Sequence, residues 1–208
     1  MKIKVCGLRD AENIRQIAEL QPDYMGFIFY EKSPRFWGDL LPFDQRLEGI
    51  KKVGVFVNST IENIEQKADG FDLDYIQLHG NETAEFCQRL QGKGFKIIKA
   101  FQISNDFDFS ILKDYKPYCD FFLFDTKTNN YGGSGKQFDW KILENYDNEM
   151  PYFLSGGIGL EETEKIKGLK ELTIHAIDVN SKFEIEPGLK EVDKLKQLFS
   201  KLSDEIRC

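Results

Sequence analysis

Eight short runs of apolar, β-branched or aromatic residues recur along this chain, at Ile3 to Leu8, Tyr24 to Tyr30, Val53 to Asn58, Tyr75 to His79, Lys96 to Ile103, Phe121 to Thr126, Tyr152 to Ser155 and Ile174 to Val179. Their starts lie roughly 20 to 30 residues apart, the length of one strand, one helix and two loops, and strands that alternate with helices form a parallel sheet. Eight such units predict an α/β fold, a single (β/α)8 TIM barrel with short loops, occupying residues 1–208 as one domain.

The intervening segments fit that count. Asp10 to Leu20 puts Ile14, Ile17 and Ala18 on one face. Ser59 with Glu62 has the capping-box spacing ahead of Ile61 and Ile64. Lys190 to Leu202 reads as a closing helix with Val192, Leu195, Leu198, Phe199 and Leu202 on one stripe. Between Ile103 and Phe121, Asn105 to Asp108 reads as loop, which predicts a reduced fifth helix.

Charge narrows the partners. A formal charge of -7 and a pI near 5.0 argue against nucleic acid, whose phosphates call for a basic stripe. A small phosphorylated substrate needs only backbone N–H groups and one or two local cations, so it remains compatible. The N-terminus lacks the charged and apolar regions of a signal peptide and no run reaches membrane-span length, which predicts a cytoplasmic protein with no membrane partner. Cys6, Cys87, Cys119 and Cys208 form no paired motif, so reduced thiols are expected.

In a barrel of this type the active site is built at the C-terminal ends of the strands. Those ends carry Cys6-Gly7, Ser33 to Phe36, Asn58, Gln77 to Gly80, Asp125, Ser155 to Gly159 and Asp178 to Ser181. Gly156 and Gly157, with Ser181 after strand eight, read as a phosphate anchor, because glycines let backbone N–H groups approach an anion and barrels place such sites after strands seven and eight. Asp178 would orient those N–H groups rather than touch phosphate. Gly132 to Gln137 lacks the P-loop spacing and no GxGxxG occurs, so ATP and dinucleotides are not expected ligands.

The motifs Lys4 to Leu8, Gly26 to Phe29 with Lys32 to Arg35, Val53 to Asn58, Gln77 to Gly80, Phe124-Asp125, Gly132 to Trp140, Ser155 to Ile158 and Glu186 to Gly188 resemble, in this order and over almost the whole chain, the phosphoribosylanthranilate isomerase family. The resemblance implies an Amadori rearrangement of N-(5-phosphoribosyl)anthranilate in tryptophan biosynthesis, with Cys6 as general base and Asp125 as general acid. It also implies that Arg35 meets the anthranilate carboxylate and that the loops after strands seven and eight anchor the phosphate, with Gly156, Gly157, Asp178, Asn180 and Ser181 among the substrate-binding residues. Acid and base suffice for that chemistry, so no cofactor and no metal is expected. One departure stands out: many members have glycine where this chain has Lys182, and a left-handed backbone there would strain a lysine.

Plainer readings stand beside these. Cys6 alone reads as a small buried hydrophobe, Asp125 as a turn cap and Arg35 as a solvated charge. Gln77 lies in the substrate-binding strand end. His79 reads either as a group that positions Cys6 or the substrate, or as a satisfied strand-end histidine. His175, at the start of strand eight, belongs to the stability face. Tyr131 to Lys136, with Gly132, Gly133, Gly135 and Lys136, reads as a connector or, directly after Asp125, as a lid over the site. Other sugar-phosphate barrels would use a strand-one aspartate and two phosphate sites, a metal-dependent epimerase would need more converging ligands than two separated histidines, and a non-catalytic metabolite-binding barrel would not need Cys6, Asp125 and Arg35 together. No apolar stripe is left beyond the core-facing ones, which predicts a monomer rather than a homodimer.

Overall fold

The structure is a computed structural model that describes residues 1–38, 47–126, 140–169 and 172–203. The glycine-rich stretch with Gly132, Gly133, Gly135 and Lys136 lies outside the described residues, as does Cys208.

Eight parallel strands close on themselves in chain order: β1 (Lys2–Cys6), β2 (Tyr24–Ile28), β3 (Lys51–Phe56), β4 (Tyr75–Leu78), β5 (Ile97–Ile103), β6 (Phe121–Thr126), β7 (Tyr152–Ser155) and β8 (Ile174–Val179). Each coincides with one of the eight apolar runs. Helices α1 (Ala11–Ala18), α2 (Ile61–Phe71), α3 (Ala84–Gln91), α4 (Thr163–Lys167) and α5 (Val192–Ser203) lie between or after them. The reduced fifth helix is two 3-10 turns, Phe109–Asp114 and Lys116–Tyr118.

Strand alternation divides the side chains into two cores. One set, which includes Met25, Phe27, Ile76, Leu78, Phe122, Phe124 and Ile177, packs outward against the helical layer. The other, Tyr24, Val53, Ile98, Leu123, Phe153 and Ala176, fills the barrel. Continued two residues at a time toward the C-terminal mouth, this second register turns polar: Gln77 follows Tyr75, Asp125 follows Leu123, Ser155 follows Phe153 and Asp178 follows Ala176. The barrel interior is therefore apolar below and chemically equipped above. At the opposite mouth His175 accepts or donates to the Tyr24 hydroxyl (2.7 Å) and lies against Phe121 and Phe153, on the stability face as expected. Burial depresses its pKa.

Two sequence expectations are corrected. The N-cap of α2 is Thr60, whose hydroxyl accepts from Asn63 N (3.2 Å), while Ser59 accepts from the Asn63 side chain (2.8 Å). The closing helix starts at Val192, and Lys190 instead belongs to a small antiparallel pair, β9 (Glu184–Glu186) with β10 (Leu189–Lys190). Gly188, at φ +91, makes the reversal between them.

Candidate active site

A cleft of about 320 Å³ opens at the C-terminal mouth, lined by Cys6, Gln77, His79, Asp125, Ser155, Gly156, Gly157, Asp178, Asn180, Ser181 and Lys182, with Ile28, Tyr30, Val55 and Val57 as an apolar wall. Cys6 is held there by register: it pairs with Gly26 across β1 and β2, and a Cβ on Gly26 would lie 2.6 Å from the Cys6 sulfur. Gly7 is equally constrained, at φ +74 with Arg35 Cδ and Asn180 Oδ1 only 2.6 and 2.8 Å from where its Cβ would be. The two glycines make room for the thiol and for the side chains around it.

A buried charge cluster surrounds Cys6. Lys4, two residues earlier on β1 and so on the same face, pairs with Asp178 at 2.9 Å, its register partner on β8, and Ser155 donates to the other Asp178 oxygen (3.1 Å). Burial pulls the Lys4 pKa down, but Asp178 and Cys6 outweigh it and the net direction is up. For Cys6 burial is the largest influence and raises the thiol, Asp178 pushes the same way, and Lys4 and Lys190 oppose them without reversing the direction.

Arg35 does not line the cleft. Its guanidinium forks onto Glu184, with Nε 2.8 and 3.0 Å from the two carboxylate oxygens and Nη2 at 2.5 Å. Glu184 also accepts from Lys190 Nζ (2.5 Å). Burial alone would raise the Glu184 pKa; these two cations hold it below the ordinary carboxylate value.

On the opposite side, Gln77 Nε2 meets His79 Nδ1 at 2.9 Å. With the amide nitrogen as donor, the imidazole proton sits on Nε2, which faces Asp125 Oδ2 at 3.4 Å. His79 thus partners the carboxyl side of the site rather than Cys6. Gln77 Oε1 is buried without a hydrogen-bond partner among the described residues. Gly156 and Gly157 have φ of +99° and +64°, a backbone that glycine adopts without strain. Lys182 has no such backbone: it lies in the 3-10 turn Ser181–Phe183, so the strain expected from its replacement of glycine does not arise.

Sequence reasoning missed Lys4, Glu184 and Lys190 as parts of this site. Lys4 was findable, since a lysine two residues before Cys6 in a strand must share its face. Asn58 and Gly80, polar strand ends in the sequence, serve structure: buried Glu82 accepts from their backbone N–H groups (2.7 and 2.9 Å) and from Lys99 (3.1 Å).

A family model described as N-(5'phosphoribosyl)anthranilate (PRA) isomerase matches residues 3–201. The chain belongs to the N-(5'-phosphoribosyl)anthranilate isomerase family. The N-(5'-phosphoribosyl)anthranilate isomerase of Parabacteroides distasonis is 49% identical over 207 residues, spanning 97% of this chain and 93% of its own length. Among solved structures, monomers generated from the dimeric phosphoribosylanthranilate isomerase of Thermotoga maritima superpose with a TM-score of 0.80 at 30% identity, with 98% of each chain covered. A phosphoribosyl anthranilate isomerase in complex with reduced 1-(o-carboxyphenylamino)-1-deoxyribulose 5-phosphate gives 0.79 at 29% identity, covering 98% of this chain and 99% of that one. Isomerisation of N-(5'-phosphoribosyl)anthranilate in tryptophan biosynthesis is the activity of this family member.

Proposed function

We propose that Cys6 is the general base and Asp125 the general acid of this isomerisation, in a cleft that holds the substrate phosphate at Gly156, Gly157 and Ser181. The observation that carries the reading is that a thiol from β1 and a carboxyl from β6 line one cleft with a glycine pair of left-handed backbone. Asp125 protonates the furanose ring oxygen, and the ring opens to an iminium that acidifies the proton on sugar C2. Cys6 removes that proton, and the enolamine tautomerises to the ketone product. Redox state is conserved and no atom is gained or lost.

The phosphate end sits under Asn180 and Ser181 beside Lys182, with Asp178 orienting the loop through Ser155. Arg35, beside the cleft rather than in its lining, reaches the anthranilate carboxylate from its edge with the N–H groups that Glu184 leaves. Gln77 and His79 border the substrate beside Asp125.

Residues 1–208 act as one catalytic domain, in the cytoplasm and as a monomer. Among the described residues no helix is long and apolar enough to cross a membrane, and the large apolar side chains left exposed, Met1, Ile111 and Ile185, are dispersed in the sequence. Size-exclusion chromatography with light scattering tests the monomer; a dimer mass overturns it.

Loss of substrate fluorescence on mixing enzyme with N-(5-phosphoribosyl)anthranilate tests the assignments. Cys6→Ser and Asp125→Asn each lower kcat at least about a hundredfold while circular dichroism stays that of the wild type. Wild-type turnover in either variant removes that residue from the mechanism.

A further inference from the structure

Lys190 is buried, at 1% exposure, and is fixed from three directions. Its ammonium donates to Asn180 Oδ1 (2.7 Å) and Glu184 Oε1 (2.5 Å). Its backbone is clamped by the buried side chain of Asn13 on α1, which accepts from Lys190 N (2.7 Å) and donates to Lys190 O (2.9 Å). The β9–β10 pair sets Lys190 directly opposite Glu184 in register. An ammonium taken out of water is costly, and a hydrophobic residue of similar length would fill the space without that penalty.

The charges facing Cys6 explain the expense. Lys4 comes from its own strand, Asp178 from β8, Arg35 from the loop after β2, and Lys190 from the hairpin, where its acceptor Asn180 Oδ1 lies 2.8 Å from the Cβ position of Gly7 beside Cys6; Glu184 binds both Arg35 and Lys190, and β2 brings Gly26. Lys4 is matched by Asp178. Glu184 is shared between Arg35 and Lys190. The cluster therefore carries one positive charge in excess while Cys6 is a thiol and is neutral once Cys6 is a thiolate.

We propose that Lys190 is a positioning residue for the reaction, its clamped ammonium serving as the counter-charge of the Cys6 thiolate. The inference rests on Cys6 being the base. In this arrangement Asn13 and the hairpin hold the charge in place, and Glu184 moderates it. Lys190 and Glu184 should then move the Cys6 titration in opposite directions, which a merely structural role would not do.

Alkylation of the substrate-free full chain by iodoacetamide, followed against pH at the Cys6 peptide by mass spectrometry, reads the thiolate fraction without turnover. Lys190→Met raises the Cys6 midpoint by at least about one pH unit, so that alkylation below it slows about tenfold. Glu184→Gln lowers the midpoint. An unchanged midpoint in Lys190→Met, or shifts of the same sign in both variants, overturns the proposal. If Lys190→Met does not fold, Glu184→Gln decides: a lowered midpoint supports the counter-charge and an unchanged or raised one refutes it. Wild-type turnover in Cys6→Ser would instead remove Cys6 as base while leaving the alkylation shifts intact, so the two failures are separable.

Discussion

Cys6 and Asp125 face the same cleft from walls built in different ways. Around Cys6, itself 4% exposed, stand Lys4 and Lys190 with no exposed side-chain surface and carboxylates that bind them tightly. Around Asp125, among the described residues, one imidazole stands at 3.4 Å, and both side chains are about a quarter open to solvent. The difference suits the roles proposed for each. A thiol ionises inside a protein only if a fixed charge replaces the water it has lost. A carboxyl that gives up a proton in every turnover needs a route by which to regain it, and exposure beside the His79 N–H provides one. On the proposed assignment, one site keeps an acid and a base apart by giving them different surroundings.

Substitutions can break this contrast wall by wall. The largest effect is expected from Gly26→Ala, whose Cβ would fall 2.6 Å from the Cys6 sulfur and 3.1 Å from its Cα. Displacing the thiol lowers kcat about a hundredfold with little change in KM. Gly70→Ala is the control: on α2 with nothing within 4 Å of the new Cβ, it leaves kcat alone and stabilises the fold by about 0.5–1 kcal/mol in urea titration. On the acid wall, Gln77→Leu frees the His79 ring, and the loss of one orienting hydrogen bond, about 1 kcal/mol, lowers kcat several-fold to roughly tenfold. An unchanged kcat would mean that His79 needs no fixed tautomer.

Smaller effects lie away from both walls. Gly157→Ala places a Cβ at φ +64, costs about 1–2 kcal/mol of local strain, and should raise KM several-fold while kcat holds. At the other mouth, burial lowers the His175 pKa, so below its ordinary value of 6.5 the unfolded chain binds more protons than the folded one. Stability must therefore fall as pH drops through that value toward the depressed one. His175→Phe removes this dependence, costs about 1 kcal/mol at neutral pH through the orphaned Tyr24 hydroxyl, and leaves turnover unchanged. Thermal melts of both proteins from pH 7 to pH 5 check it.

The barrel was legible because alternation is a local signal: each strand announces itself by its own apolar run, and all eight lie where those runs do. The cleft residues were legible for the same reason, being strand ends. The charge cluster was not. The Arg35–Glu184 pair joins residues 149 apart, and such non-local pairing leaves no periodicity to read. Strand β10 has two residues, too few for any period, so Lys190 merged with the helical stripe that follows it. Lysine is also among the residues least often buried, which hides Lys4 and Lys190 until their carboxylates are seen beside them. Ser59 lost the capping role to Thr60 by a one-residue shift, the margin within which helix ends are usually misread.

The most direct test of the two-wall account is the deuterium isotope effect on kcat with N-(5-phosphoribosyl)anthranilate labelled at sugar C2, measured in Cys6→Ser and Asp125→Asn. With the base impaired, proton removal from C2 limits the reaction and the isotope effect reaches its full primary size. With the acid impaired, ring opening limits it and the effect collapses toward unity. A full effect in Asp125→Asn together with none in Cys6→Ser would contradict the assignment of Cys6 to the base and Asp125 to the acid.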